Sequence, residues 1–318
     1  MTLAVYVDTV DADRHGGPGL LEAAGFEVRD AVAITPAEIL AAASDAEALL
    51  VGDSPVTAEV FAGLEQLRIV ATVTVGVDHI DVAAASARGV WVANAPDTAT
   101  EEVATTALAM ALSLVRHLPF LDQHVRAGGW DAFATGERHR PSTLALGIVG
   151  LGSIGSRLAS LALPLFGRVL ACDPAPARPA PAGVELAGID DLLAASDVVS
   201  LHLPAQPGAP PLLDAAGLAR MRNGAFLVNA ARGSLVDTAT LLDALDSGRL
   251  AGAALDVVAG EPPALDDRVR RHPRVLITPH AAFFSSESAA DTYAAQARNV
   301  IAWRESGRPL TPVVEGRP

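Results

Sequence analysis

Short apolar runs alternate along this chain with longer segments whose Ala and Leu residues recur at helical spacing. Residues 3–7, 48–51, 68–73 and 90–93 read as strands, and segments such as 36–43 between them read as helices. Alternation of this kind predicts βαβ units and a parallel sheet. A second series opens at Leu144, with strands expected at 144–149, 169–172, 198–201, 225–229, 252–256 and 275–277. Six such strands with intervening helices predict a doubly wound sheet. Between the two series the pattern predicts one long helix over residues 100–127, with Glu101 and Glu102 suited to its N-terminal dipole. That length would let it bridge two domains or reach a second subunit. The Pro-rich stretch 174–181 is expected to be a surface loop. The tail returns to helix at 285–304 and then meets Pro309 and Pro312. It is too short for a domain and is expected to pack back on the N-terminal half.

The turn after the first strand of the second series is Gly150-Leu151-Gly152-Ser153-Ile154-Gly155. Gly150 permits a tight turn, Gly152 allows close approach of a pyrophosphate, and Gly155 lets the helix pack on the strand. The N–H groups from Ser153 and Ile154 onward and the positive dipole end suit phosphates. A glycine fingerprint alone is a weak signal. Here a second strand follows and ends at Asp173, 18 residues past Gly155, where an acid would accept from a ribose 2′-hydroxyl. NAD is therefore expected over NADP, with Arg178 close enough in sequence to leave phosphate tolerance open. Ile154, Leu158, Leu161 and Leu165 share one helical face, and Pro164 is expected to end or kink that helix early.

Three later strands each end in a reactive side chain. Arg232 follows the apolar run 225–229, Glu261 follows 252–256, and His280 follows 275–277. Ligands bind at such strand ends in open α/β sheets. Arginine offers a planar fork to a carboxylate. Histidine exchanges a proton near neutral pH, and a neighbouring carboxylate would stabilise its charged form and fix its tautomer. Each residue alone has an ordinary structural reading; their joint placement points to hydride and proton transfer on a small 2-oxo or 2-hydroxy acid. His117, His124, His139 and His272 lie in polar stretches and read as surface residues. No Cys/His spacing suggests a metal site.

Composition narrows the field. The chain has 318 residues, enough for two domains, and half are hydrophobic. A net charge of −14 argues against nucleic acid or an anionic membrane as partner. All 23 basic residues are arginine, which excludes Schiff-base, pyridoxal and P-loop lysine chemistry. The one cysteine, Cys172, forms no internal disulfide and suggests a reduced, cytoplasmic setting. The N-terminus lacks the basic start of a signal peptide, and the longest apolar stretch, 104–115, is too short to span a bilayer.

On the glycine turn with Asp173, the segments 228–237 and 256–262, and Thr278-Pro279-His280, the chain resembles the D-isomer-specific 2-hydroxyacid dehydrogenases over nearly its whole length. The resemblance implies a Rossmann NAD domain, residues 98–284, inserted into a flavodoxin-like substrate domain, residues 1–97 and 285–318. It assigns Arg232 to the substrate carboxylate, His280 to acid–base work and Glu261 as its partner. It places Asp256 on the nicotinamide amide, with Ala230, Ala231, Leu203 and Pro204 lining the cofactor. The segment 75–81, beginning Val75-Gly76, resembles the substrate loop, whose backbone amides meet the carboxylate; His79 there is structural. Phe283 and Thr72 would shape the substrate pocket, and many relatives carry arginine where this chain has Thr72. Such enzymes are usually homodimers. Within the family, 224–237 and 280–285 look most like the C-terminal binding protein branch, so an NAD(H)-sensing binding protein with little turnover stays open. Glu261 speaks against the formate dehydrogenases, while the phosphite dehydrogenases share the trio and stay open as well.

Overall fold

The architecture is that of a computed structural model, which describes residues 1–8, 14–176, 178–206 and 208–317. The chain divides into two compact bodies, Met1–Ala99 with Phe284–Pro318, and Thr100–Phe283. Each is an α/β body on its own sheet. In the first, the strands are β1 (Leu3–Asp8), β2 (Glu27–Val32), β3 (Ala48–Val51), β4 (Ile69–Thr72) and β5 (Trp91–Ala93). In the second they are β6 (Ala145–Val149), β7 (Arg168–Cys172), β8 (Glu185–Leu186), β9 (Val198–Leu201), β10 (Ala225–Asn229), β11 (Leu250–Leu255) and β12 (Val275–Ile277). A last strand, β13 (Pro312–Val314), rejoins the first sheet.

The first sheet has the order β13-β5-β4-β3-β1-β2, parallel except where β13 pairs antiparallel with β5. Successive side chains of a strand point to opposite faces. Leu3, Val5 and Val7 of β1 therefore join Ile39, Phe61 and Ala85 from helices on one face. Ala4 and Tyr6 join Leu21, Val300 and Trp303 on the other. The helix Ser286–Ser306 that supplies Val300 and Trp303 starts with a capping box at Ser285 and ends at Gly307 in the left-handed region. Its buried Gln296 donates to the carbonyls of Val51 and Ala71, which bolts the tail to the N-terminal strands of the same body.

The second sheet runs β12-β11-β10-β9-β6-β7-β8, all parallel. Strand order reverses between β6 and β9, and ligands bind at such a switch point. Both faces are covered, with Ala225 and Leu227 in one core and Phe226 and Val228 in the other.

Two expectations are corrected. The single helix expected over 100–127 is two, Thr100–Val115 and Leu118–Arg126, bent by 61°. His117 sits between them in the left-handed region at φ 54°, and Pro119 cannot donate to the preceding turn. Six strands were expected in the second sheet and seven are present among the described residues. The seventh, β8, is an exposed edge of two residues with no apolar run to announce it. Edge strands β2 and β13 were missed for a related reason: partial burial leaves no strong pattern. The helix Ser153–Ala162 stops two residues before Pro164, as its sequence predicts, and Leu165 falls beyond it, partly exposed.

Candidate active site

One line of register organises the second body. Cys172, Val149, Leu201, Asn229, Leu255 and Ile277 are paired in turn across β7, β6, β9, β10, β11 and β12. The residues just beyond that line are Asp173, Gly150, His202-Leu203-Pro204, Ala230-Ala231-Arg232, Asp256 and Thr278-Pro279-His280. The cofactor and catalytic candidates of this body, spread in sequence from Gly150 to His280, thus emerge at the carboxyl edge of one sheet, with Glu261 bonded to His280.

The glycine turn has the geometry its sequence implies. Gly150 adopts φ 97°, and a Cβ there would lie 2.4 Å from the His202 carbonyl oxygen. A Cβ on Gly155 would lie 1.9 Å from the Gly150 carbonyl oxygen, so only glycine lets the helix seat on the turn. Around Gly152, by contrast, a Cβ would meet nothing within 4 Å. Gly152 caps the helix Ser153–Ala162, whose first N–H groups have no intrahelical acceptor. An open cradle of amides at a dipole end fits a dinucleotide pyrophosphate. Beside it lies a cavity of about 210 Å³ lined by Leu151, Asp173, Arg178, Ala180 and Leu186 among others. Asp173 accepts from the N–H of Leu151 at 2.7 Å and of Ala175 at 2.8 Å. These bonds hold the carboxylate at the cavity wall and leave it further acceptor sites for a ribose hydroxyl. Arg178 reaches over to donate to Ser153 Oγ at 3.0 Å. Leu203 is partly buried and Pro204 exposed on the next strand end. Burial pushes the imidazole of neighbouring His202 down to about 4. Ser200 Oγ lies 2.7 Å from its Nε2, and among the described residues Nδ1 has no partner. Burial, then the neighbouring Asp173 charge, pushes the Cys172 thiol up.

The expected pair of His280 and Glu261 is hydrogen-bonded. Glu261 Oε1 accepts from the N–H of Val258 at 2.9 Å, and Oε2 lies 2.6 Å from His280 Nδ1. An ionised carboxylate only accepts, so Nδ1 is the donor and Nε2 is left for a substrate. His280 itself is in the left-handed region at φ 53°, unusual for a residue with a Cβ. Asp256 explains how that conformation is held. It is 3% exposed, and its carboxylate accepts from Thr278 Oγ1 at 2.6 Å and from the N–H groups of Ala281 and Ala282, each at 2.9 Å. Its carbonyl accepts from the N–H of His280 at 2.8 Å. Asp256 is thus the anchor of the His280 turn. Arg232, partly buried, donates through Nη1 to the Ala231 carbonyl at 2.8 Å. Its backbone is clamped by Asn229, which donates to the Arg232 carbonyl and accepts from the N–H of Ala231.

Sequence reasoning missed Asn229 and Thr278 as parts of this site. Asn229 had a signal, a polar residue closing an otherwise apolar strand and 1% exposed. Thr278 had none beyond its place before Pro279. Of the substrate-pocket candidates, Phe283 is half exposed at the end of the second body. Val75 and Gly76 belong to the first body, in the turn after β4. Thr74 Oγ1 donates to the Gly76 carbonyl at 2.5 Å and Asn94 Nδ2 to the Val75 carbonyl at 2.7 Å. Among the described residues no group of three His, Cys, Asp or Glu is placed to hold a metal.

Residues 108–282 match the family model for the D-isomer specific 2-hydroxyacid dehydrogenase NAD binding domain. D-3-phosphoglycerate dehydrogenase of Mycobacterium tuberculosis is 41% identical over 256 residues, 79% of this chain and 48% of that protein. The chain spans about half the length of the curated relatives it matches. Among solved structures, a protein from Thermus thermophilus is similar, with a TM-score of 0.87 and 33% identity over 98% of this chain and 100% of that one. A D-lactate dehydrogenase from Treponema pallidum has a TM-score of 0.81 and 27% identity over 98% and 99%.

Proposed function

From the premise that the chain belongs to the D-isomer specific 2-hydroxyacid dehydrogenases, with an NAD binding domain at residues 108–282, we propose that it reduces a small 2-oxo acid to the (D)-2-hydroxy acid. The observation that carries this reading is the His280–Glu261 pair at 2.6 Å on the same sheet edge as the glycine cradle and Arg232. NADH, when bound, would supply the hydride that goes to the substrate's C2 carbon. Gly150, Gly152, Ser153, Ile154 and Gly155 would hold its pyrophosphate, Asp173 its adenosine ribose, and Leu203, Pro204, Ala230 and Ala231 its flank.

The chain's own residues then divide the work. Arg232 would hold the substrate carboxylate through its fork. Its carbonyl, fixed by Asn229, sets where that fork starts. His280 Nε2 would give its proton to the carbonyl oxygen, and Glu261 balances the imidazolium before the transfer. Asp256 keeps the turn in place; with three acceptor sites engaged, one remains for the nicotinamide amide that the family resemblance assigns to it. Val75 and Gly76 would offer amides to the substrate's anionic group. The reading extends to a cytoplasmic homodimer. Trp130, 89% exposed, and Phe133, 81% exposed, follow the helix Leu118–Arg126 and would be covered by the second copy.

The test is NADH oxidation with a panel of 2-oxo acids (glyoxylate, pyruvate, hydroxypyruvate, phenylpyruvate, branched-chain), with mass by light scattering on the same sample. Turnover is expected, and His280→Ala should lower kcat about 100-fold or more while NADH still binds. Tight NADH binding without turnover on any acid would instead favour the nucleotide-sensing reading, and reduction of NAD by phosphite, with no NADH oxidation by any acid, the inorganic-anion one.

A further inference from the structure

Gly233 follows Arg232 directly and opens the short turn Gly233–Leu235. Its backbone lies outside the left-handed region, so its torsions do not call for glycine. Its surroundings do. A Cβ there would lie 2.0 Å from the carbonyl carbon of Val258, 2.1 Å from the carbonyl oxygen and 2.4 Å from the nitrogen of Ala259. All three atoms are backbone, which no side-chain rotation can clear away. The peptide between Val258 and Ala259 therefore rests on the bare Cα of Gly233.

That peptide belongs to the loop that carries Glu261. The N–H of Val258 donates to Glu261 Oε1 at 2.9 Å, and Glu261 Oε2 lies 2.6 Å from His280 Nδ1. The N–H of Asp256 donates to the Asn229 carbonyl at 2.9 Å, one residue past the pairing of Asn229 with Leu255. Past that bond the two loops close on each other at Gly233, so two strand ends with different functional groups meet at one glycine. The two sides of this joint differ in stiffness. The Arg232 carbonyl accepts from Asn229 Nδ2 at 2.9 Å and from the N–H of Leu235 at 3.2 Å, and Leu235 and Val236 are buried. Ala259, Gly260 and Glu261 are exposed, and Gly260 adopts φ 75°. A group forced into the joint would displace the exposed side first, and with it the Val258 N–H that holds Glu261.

We propose that Gly233 is a positioning residue for the Glu261–His280 pair. Its bare Cα is the seat that fixes the Val258–Ala259 peptide, and through it the carboxylate that orients His280, against the arginine turn. This role rests on the dehydrogenase reading above and deepens it, because reduction needs the proton at His280 Nε2 and the carboxylate site at Arg232 in fixed relation.

The test is Gly233→Ala, alone and combined with Glu261→Gln, assayed with the 2-oxo acid that turns over best. We expect kcat to fall about tenfold at neutral pH and to recover in part on acidification, with KM for the acid within about twofold of the unmodified value. Added to Glu261→Gln, the same substitution should cost less than about twofold in kcat, because both act on one carboxylate. A rise in KM with kcat unchanged would place the effect at Arg232, and a fully additive loss in the double variant would place it outside the pair. Either result overturns the proposal, as do unchanged kinetics. A second readout needs no turnover. Long-range nitrogen–proton spectra of the imidazoles, with His280 assigned by His280→Ala, report which ring nitrogen carries the proton in alkaline solution. Nδ1 is expected in the unmodified protein, with a shift toward Nε2 in Gly233→Ala. A proton on Nε2 from the outset, or a tautomer that the substitution does not move, overturns the proposal even if no 2-oxo acid is reduced. Absent turnover with a shifted tautomer counts against the dehydrogenase reading alone. Should Gly233→Ala fail to fold, Val258→Ala loosens the same seat from the apolar cluster that Val258 shares with Leu235 and Val236. It should move kcat and the tautomer in the same direction, and no movement there overturns the proposal.

Discussion

Glu261 spends one oxygen on the Val258 amide and the other on His280, so a single side chain sets both its own position and that of the imidazole. The two oxygens separate its structural and electrostatic roles. Glu261→Gln keeps the shape and removes the charge that balances the imidazolium. Reduction should slow by about tenfold at neutral pH and recover in part on acidification. A kcat profile over pH that superimposes on the unmodified protein's would remove Glu261 from the mechanism. The pairing was legible in the sequence, because Glu261 and His280 follow adjacent strand patterns. The support beneath it was not. Asp256 accepts from the amides of Ala281 and Ala282, Thr278 donates to the Asp256 carboxylate, and Asn229 donates to the Arg232 carbonyl, and no spacing rule reports the direction of a side chain.

At the scale of elements, the strands that carry the site were readable because both faces of each are buried, which leaves continuous apolar runs. Strands β2, β8 and β13 lie at or near sheet edges, where one side meets solvent and the signal fades. The turn between β6 and the helix Ser153–Ala162 is the tightest fit in the second body. A Cβ on Gly155 would lie 1.9 Å from the Gly150 carbonyl oxygen, backbone that cannot step aside. Gly155→Ala should therefore push the helix off the strand and weaken NADH binding by about tenfold or more, read from the quenching of NADH fluorescence. Gly152→Ala, at an open position, should leave the apo fold's melting temperature unchanged. Equal loss of melting temperature in both variants would show that packing does not distinguish the two glycines.

For the whole molecule, stability carries a pH signature from His202. Its folded-state value of about 4 lies below the ordinary 6.5. The unfolded chain therefore binds more protons between those values, and stability falls as pH is lowered through that window. Taking the protein from pH 7 to pH 5 should cost about 2 kcal/mol from this group. Denaturant midpoints of His202→Asn should show a correspondingly smaller loss; an identical loss would assign the effect elsewhere. The sequence alone determined the α/β class and the nucleotide turn, and it named Arg232, Glu261 and His280 as candidates. Periodicity and glycine spacing are local properties, set within a few residues. Only the tertiary structure decided that one register line through six strands gathers these residues, and that Asp256 anchors the turn bearing His280. It alone broke the helix at His117. Those outcomes depend on which strands become neighbours and which polar groups find partners when water is expelled, and neither is encoded at any single position.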